Sequence, residues 1–234
     1  MSDQSIESLL QMELSTPGNV WNPTPHGIFM AEVLAANNFV NGKSVLELGA
    51  GAANHTVVML RQGAARLVAT EIHEDFLATT RHNVERNFPG AQNVEYRVAD
   101  WLNTEGTFEV LVTNPPFCKS GKQNRRYYID SLILDGHKRL EPGGTLLFVQ
   151  SSMADLSMTM RRLDANGFEA KIVDRRRGLF RDYYFEDAEF MREIKEVAHG
   201  FELDGGKHYE TLFVIAATLR PWSPGDGAHV TTDS

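Results

Sequence analysis

The sequence is poor in cysteine and has no long apolar run. Cys118 is the only cysteine among 234 residues, so no internal disulfide framework can form and a reducing compartment is expected. No apolar stretch reaches the roughly 20 residues that a membrane-spanning helix needs. Residues 1–15 lack a basic segment ahead of their short apolar segment, and therefore do not resemble a secretory signal. We expect a cytoplasmic protein without a membrane segment.

Positive charge is also scarce, because 23 Lys and Arg residues stand against 31 Asp and Glu residues, for a net charge of −8. Nonspecific binding to nucleic acid requires clustered Lys and Arg that neutralise phosphates, so a nucleic-acid partner is not expected. Two local basic groups exist, one formed by Lys119, Lys122, Arg125 and Arg126 and one at 175–177. We interpret them as a solvated loop and a strand end. The sequence does not indicate the oligomeric state.

Apolar segments alternate with amphipathic ones from Ser44 onward, which is typical of an α/β fold. We expect buried strands at 44–48, 66–71, 94–99, 108–113, 145–150, 168–174 and 211–219. We expect helices at 28–39, 56–62, 74–87, 127–140 and 156–166, with a turn at 141–144. Strands that alternate with helices predict a doubly wound, mostly parallel sheet that is covered on both faces.

The chain is expected to form one main domain with additions at its edges. Residues 1–40 are predicted to form a helical segment that acts as a lid, and 41–220 the domain itself. An insert at about 178–208, with a helix near 187–197, interrupts the domain before its last strand. The tail at 221–234 is rich in Gly, Pro and polar residues, which predicts disorder.

A glycine-rich turn follows the first strand, in the sequence Glu47-Leu48-Gly49-Ala50-Gly51. Gly49 and Gly51 allow a tight turn and a close approach of a ligand to the backbone. The third glycine of the dinucleotide fingerprint is missing, and no Lys-Ser/Thr pair follows, so neither a typical NAD site nor a phosphate-binding loop is indicated. Glu47 would repel a pyrophosphate and would suit an ammonium group.

Acids also follow the second and third strands. Glu71 lies about 20 residues after the glycines, where an acid typically binds ribose hydroxyls. Asp100 and Trp101 follow the third strand, and could accept a hydrogen bond from an exocyclic amine and stack on a purine. Because parallel strands end at one edge of a sheet, these residues are expected to meet there.

The fourth strand ends in Asn114-Pro115-Pro116-Phe117. Proline cannot continue a strand ladder, so the segment after the strand is held rigidly. The Asn114 amide oxygen and the Pro115 carbonyl are expected to point at one small space, with the Phe117 ring beside it. Two acceptors and a flat ring suit a planar group that carries NH hydrogens.

With these motifs the chain resembles class I methyltransferases that use S-adenosylmethionine, over roughly residues 23–219. The Asn-Pro-Pro-Phe segment resembles the subgroup that contains release-factor glutamine methyltransferases and nucleobase N-methyltransferases. The resemblance implies a Rossmann-like sheet of seven strands whose last strand is antiparallel. The chain differs from the release-factor enzymes in having Phe117 where they have Tyr, and in having only about 40 residues before the glycine-rich turn.

The resemblance also implies a role for each motif. Glu47 and the Gly49–Gly51 turn, including Ala50, would hold the amino acid end of the cofactor. Glu71 would bind the ribose, while Asp100 and Trp101 would bind the adenine. Asn114 would bridge cofactor and acceptor, with Pro115 and Phe117 completing the catalytic group. No metal site is expected.

The acceptor is not specified by these motifs. We expect N-methylation of a small molecule or an amino acid-like substrate, with His26, Tyr183 and Tyr184 near it and the 178–208 insert as a lid. Alternatives are a protein glutamine or RNA acceptor, and transfer to carbon. Outside this class, an NAD-binding oxidoreductase and a noncatalytic scaffold remain open.

Overall fold

The computed structural model describes residues 11–17, 22–116 and 125–221. Its described helices are α1 (Pro25–Ala36), α2 (Asn54–Arg61), α3 (Glu74–Asn87), α4 (Tyr127–Asp135), α5 (Leu156–Ala165) and α6 (Ala188–Ile194), with short 3-10 turns at Gly136–Arg139, Ser152–Ala154 and Asp182–Glu186. Its described strands are β1 (Ser44–Leu48), β2 (Arg66–Glu71), β3 (Val94–Val98), β4 (Phe108–Thr113), β5 (Leu140–Ser151), β6 (Phe168–Leu179), β7 (Glu202–Asp204) and β8 (Lys207–Leu219).

The strands form one sheet in the order β3-β2-β1-β4-β5-β8-β6. The five strands from β3 to β5 in that order run parallel, while β8 runs antiparallel to both β5 and β6. This confirms the predicted doubly wound sheet with an antiparallel last strand. The described sheet has one strand more than predicted, because the short β7 forms a hairpin with the start of β8.

Helix α1 begins three residues earlier than expected. Thr24 is its N-cap, with a side-chain oxygen that accepts a hydrogen bond from the backbone N–H of Gly27 at 3.2 Å, and Pro25 is its first residue. A Thr cap followed by Pro is a strong helix start, because the cap satisfies a free N–H and proline has the helical φ already. The early start brings His26 and Gly27 into the first helical turn.

The expected turn at 141–144 lies inside β5 instead. At Gly144 a Cβ atom would lie only 2.9 Å from the Glu141 carbonyl oxygen and 3.1 Å from that of Phe108. Glycine therefore allows the backbone to pass close to β4, at a register shift between Phe108 and Val110. The strand continues through a segment whose composition predicted a loop.

Strand β6 is also longer than expected and extends to Leu179. Its second half pairs with the first half of β8, from Asp174 opposite Val214 to Leu179 opposite Tyr209. Most side chains in this half are exposed, so it has no apolar alternation. The hairpin extends beyond the end of β5 and carries the predicted insert.

Apolar side chains pack on both faces of the sheet. One face packs against α1 and α2, and includes Val45 of β1, Val112 of β4 and Leu212 of β8. The opposite face packs against α4 and α5. A third, smaller cluster lies within the insert and includes Phe180, Tyr184 and Phe190. No helix in the described ranges is long and apolar enough to cross a membrane.

Two predicted segments are only partly covered by the described residues. Of the expected N-terminal helix, residues 11–17 are described; they are not helical, and Met12 belongs to the core cluster on the face of the sheet that packs against α1 and α2. The predicted disorder of 221–234 concerns residues that, except for Pro221, lie outside the described ranges. The proposed domain boundaries stay predictions.

Candidate functional site

A cavity of about 610 Å³ lies where β1, β2 and β4 end. It is lined by the turn after β1, the end of β2, the segment after β4, the start of α1 and part of the insert: Asn22, Pro23, Thr24, His26, Gly27, Gly49, Ala50, Gly51, Ala52, Asn54, His55, Glu71, Ile72, Phe76, Asn114, Pro115, Pro116, Arg181, Tyr183 and Tyr184. This edge of an open α/β sheet is where ligands bind, and the volume is that of a small-molecule or cofactor pocket.

The turn after β1 forms one wall of the cavity. Gly49 and Gly51 have φ values of 72° and 52°, which favour glycine. The backbone N–H groups of Gly49 and Ala50 donate to the Thr70 carbonyl oxygen at 3.1 and 3.0 Å, which fixes the turn to β2. Because nothing lies within 4 Å of a Cβ built on Gly49, the backbone there is open to a ligand.

Glu71 ends β2 and closes the same wall. Its Oε1 accepts a hydrogen bond from the Gly51 backbone N–H at 2.6 Å, and its Oε2 accepts one from the Ile72 N–H at 3.2 Å. Burial raises the pKa of this carboxyl above its ordinary value, although the two backbone hydrogen bonds act in the opposite direction. The structure thus brings the predicted ribose-binding acid to the glycine-rich turn.

Glu47 is fully buried behind the cavity and does not line it. Its Oε2 accepts a hydrogen bond from the Thr56 hydroxyl at 2.5 Å, and its Oε1 lies 3.5 Å from His55 Nδ1. The other ring nitrogen, His55 Nε2, lies 2.9 Å from the Gly27 carbonyl oxygen. Since a carbonyl only accepts, Nε2 carries a proton. His55 therefore stands between Glu47 and the start of α1.

Asn114 and Pro115 form the opposite wall. Asn114 is half-buried and Pro115 is buried, and the preceding Thr113 hydroxyl donates to the Leu48 carbonyl oxygen at 3.0 Å. A Cβ built on Gly27 would lie 3.4 Å from Asn114 Nδ2, so α1 approaches the amide closely. The two residues predicted to supply hydrogen-bond acceptors thus line the same cavity as the glycine-rich turn. The third predicted catalytic residue, Phe117, lies outside the described residues.

Asp100 and Trp101 do not line the cavity. The indole N–H of Trp101 donates to the Ser131 hydroxyl at 2.8 Å, and its ring packs edge-to-face on Tyr128 at a centroid distance of 5.0 Å. Trp101 is thereby held against α4, while Asp100 is exposed. Their predicted contact with adenine stays a prediction, and the contacts of the indole do not support it.

The insert contributes Arg181, Tyr183 and Tyr184 to the cavity. The Arg181 guanidinium donates to the Tyr183 hydroxyl at 2.7 Å, and Tyr183 is 39% exposed. Tyr184 is buried and packs against Phe190 of α6. The predicted neighbours of the acceptor, His26, Tyr183 and Tyr184, are therefore brought together. His208, a second histidine of the insert region, lies instead among Phe180 and Phe201.

Several lining residues were not predicted from the sequence, among them Asn54, His55, Ile72, Phe76 and Arg181. Asn54 and His55 open α2 directly after the glycine-rich turn, so the position of a helix start behind that turn could have indicated them. Arg181 follows β6 with no motif around it, and only the topology brings it to the cavity.

Four arginines of the two basic groups form ion pairs. The guanidinium of Arg126 is buried and lies 2.7 Å from the Asp130 carboxylate, and Arg125 lies 2.9 Å from that of Glu193. In the second group Arg177 bridges two carboxylates of β7, and Arg176 pairs with Glu32. Within the described ranges no cluster of His, Cys, Asp and Glu could hold a metal ion.

A family model described as "Methyltransferase small domain" matches residues 27–171, which is more than half of the chain. The protein belongs to the methyltransferase small domain family. This confirms the predicted S-adenosylmethionine-dependent methyltransferase, and the matched range contains the glycine-rich turn, Glu71 and Asn114.

Two curated proteins are similar to this methyltransferase. A proposed protein N5-glutamine methyltransferase of Methanocaldococcus jannaschii is 24% identical over 180 residues, which cover 70% of this chain and 88% of that protein. Ribosomal RNA large subunit methyltransferase I of Shewanella amazonensis is 32% identical over 157 residues, which cover 60% of this chain but only 39% of that protein. The chain thus spans most of the first relative and well under half of the second.

A solved methyltransferase structure, SMU.776 in complex with S-adenosylhomocysteine, shares the fold with a TM-score of 0.57 and 17% identity. The match covers 82% of this chain and 50% of that one. The cavity of the small-domain methyltransferase has features that fit such a ligand: an open glycine turn, an acid with free lone pairs in Glu71, and the apolar side chains of Ile72 and Phe76.

Proposed function

We propose that the protein transfers a methyl group from S-adenosylmethionine to a nitrogen atom of a planar amide or aromatic amine. One observation carries this proposal: Asn114 and Pro115 line the same cavity as the Gly49–Gly51 turn and Glu71. The cavity combines two groups that accept hydrogen bonds from N–H with a turn of the kind that binds a cofactor. This combination suits a nitrogen that receives a methyl group from the cofactor beside it.

The cofactor would lie along the wall formed by β1 and β2. Glu71 would accept hydrogen bonds from the ribose hydroxyls, and the Gly49–Gly51 turn would hold the amino acid end. Ile72 and Phe76 offer apolar surfaces beside Glu71, which suits the adenine ring. Glu47 lies beneath the turn and next to His55, which lines the cavity. From that position the negative charge of Glu47 would favour a cationic ligand.

When bound, the cofactor supplies a methyl group on a positively charged sulfur. The chain's own contribution is orientation. The Asn114 side-chain oxygen and the Pro115 carbonyl would accept the two NH hydrogens of the acceptor and turn its lone pair toward the methyl. Correct positioning of two reacting atoms lowers a barrier by several kcal/mol, so a strong base is not required for this step.

A protein side-chain amide is the acceptor that we favour. Of the two curated relatives, the one that this chain covers more fully bears the name of a proposed protein N5-glutamine methyltransferase. The pairing of Arg126, Arg176 and Arg177 with carboxylates leaves them poorly suited to bind phosphates. The small-molecule acceptor expected from the sequence has no support in the names of the two curated relatives.

RNA is the second candidate acceptor, and one observation favours it. The relative with the higher identity, at 32%, bears the name of a ribosomal RNA methyltransferase. An RNA acceptor would need phosphate contacts, so its methylation would weaken steeply as salt is raised.

A transfer assay with radiolabelled S-adenosylmethionine can separate the acceptors. Parallel reactions would contain glutamine-bearing peptides, ribosomal RNA transcripts and free amino acids, with Asn114→Ala as the inactive control. Label in the peptide would support the proposal, and its release as N-methylglutamine would identify the atom. Label in RNA alone, or in the free amino acids alone, would overturn the protein acceptor.

A further inference from the structure

A carboxylate is buried beside the acceptor end of the cavity. Glu210 of β8 is 3% exposed, and its Oε1 accepts a hydrogen bond from the Tyr184 hydroxyl at 3.3 Å. Its Oε2 lies 3.5 Å from His26 Nε2, and within the described residues neither of these two atoms has a hydrogen-bond partner. A buried carboxylate with so few partners costs free energy, which suggests a functional reason for keeping it.

The fold directs this carboxylate toward the proposed acceptor site. Side chains alternate along a strand, and Leu212 of β8 packs on the face that holds α1, so Glu210 faces α1 as well. His26 lies in the first turn of α1, next to Gly27, which borders Asn114. His26 and Asn114 both line the cavity.

The geometry points to a proton-accepting pair: His26 takes up the proton released by the acceptor nitrogen, and Glu210 is the positioning residue that holds His26 for this. The inference rests on the proposed N-methylation. If Nε2–H points at Glu210, the neutral ring has its lone pair on Nδ1, so Nδ1 is the ring nitrogen that can take up a proton. Tyr184 in turn fixes the carboxylate through its hydroxyl.

The step balances in atoms and charge. The acceptor nitrogen forms its bond to the methyl carbon while the carbon–sulfur bond breaks, and the electron pair of that bond stays on sulfur. The nitrogen then carries a positive charge until one of the two protons that had been hydrogen-bonded to Asn114 and Pro115 leaves it for His26 Nδ1. An imidazolium in the first turn of a helix is disfavoured by the helix dipole, and the negative charge of Glu210 offsets this.

Nitrogen-15 NMR of the ligand-free protein tests the pair without any turnover. We expect the His26 ring to be in the Nε2–H form in the wild type, and expect Glu210→Gln to shift the ring toward the Nδ1–H form. A wild-type ring in the Nδ1–H form, or a spectrum unchanged in Glu210→Gln, would overturn the inference. This measurement stays decisive even if no acceptor is found and the proposed function fails.

Kinetics with the labelled peptide provide the second test. We expect His26→Asn to lower kcat by about 10²-fold, the lower end of the usual contribution of a general base, and to leave KM and the affinity for S-adenosylhomocysteine unchanged. Glu210→Gln should lower kcat less, again without a change in KM. His82→Asn, an exposed histidine of α3, is the matched control and should keep full activity. Full kcat in His26→Asn would overturn the inference.

Discussion

The backbone N–H of Gly51 donates a hydrogen bond to the Glu71 carboxylate at 2.6 Å. This contact joins the turn after β1 to the end of β2, so the two parts of the proposed cofactor site are fixed to each other. Burial raises the pKa of Glu71, which means that its charged form is held in a place that water would stabilise better. Hydrogen bonds from the hydroxyl groups of a ligand would stabilise the charged carboxylate.

Glu71→Gln should stabilise the ligand-free protein at neutral pH. A raised pKa means that the folded state binds this proton more tightly than the unfolded state. The stability due to Glu71 is therefore fully present below its ordinary pKa, and is lost as the pH rises through the raised value. Thermal unfolding of wild type and variant at several pH values should show a Tm advantage for the variant at pH 7 that shrinks on acidification.

The Glu71→Gln substitution should also weaken binding of the cofactor. A hydrogen bond to a charged group contributes about 1.5–3 kcal/mol, so the affinity for S-adenosylhomocysteine should fall by about 10- to 100-fold. Calorimetry would measure it. An unchanged affinity would remove Glu71 from the ribose site.

Asn114→Ala should strongly lower kcat in a folded protein. Loss of one oriented hydrogen-bonding group in an active site typically lowers kcat by about 10²- to 10³-fold. The neighbouring Thr113→Val is a matched control, because it removes the hydrogen bond to Leu48 and leaves the amide in place. It should lower the free energy of unfolding by about 1 kcal/mol with kcat retained. Equal loss of kcat in both variants would point to a structural effect.

Gly27→Ala should separate stability from activity. Alanine in place of a helical glycine stabilises a helix by up to about 1 kcal/mol, and Gly27 lies in α1 without a positive φ. The added Cβ would lie 3.4 Å from Asn114 Nδ2 and occupy space beside the proposed acceptor. Chemical denaturation should show equal or greater stability, and the transfer assay a lower kcat/KM. Unaltered kcat/KM would show that the acceptor does not use this space.

Tyr183→Ala tests the proposed lid. Tyr183 lines the cavity and is 39% exposed, so its removal should raise the acceptor KM with little loss of stability. Tyr184 is unsuitable as a first test, because truncation of a buried aromatic side chain costs about 3–5 kcal/mol. Tyr183→Phe keeps the ring and serves as the control. Should the KM of Tyr183→Ala equal that of wild type, the lid hypothesis would be wrong.

The central strands could be predicted from the sequence because a buried strand requires a run of mostly apolar residues. Strands β1, β2 and β4 are buried on both faces and mostly apolar, and each begins and ends where predicted. The strands at the edge of the sheet were harder to predict. The outer half of β6 is polar and mostly exposed, and it is a strand only because β8 pairs with it. Pairing between distant segments leaves no local pattern.

The same reason explains the gaps in the predicted site. Gly49, Glu71 and Asn114 directly follow or end strands, so their meeting could be inferred from a parallel sheet. Glu210 comes from the antiparallel strand, where its neighbours give no motif. Trp101 has a φ of 52° and donates a hydrogen bond to Ser131 of α4, which no pattern in the sequence indicated, and its contact with adenine stays a prediction.

Calorimetry with S-adenosylhomocysteine and NAD, measured side by side on the full chain, shows whether the cavity binds the cofactor of methyl transfer. We expect saturable binding of S-adenosylhomocysteine that Glu71→Gln weakens, and no heat with NAD. No binding of S-adenosylhomocysteine, or binding of NAD in its place, would contradict this expectation.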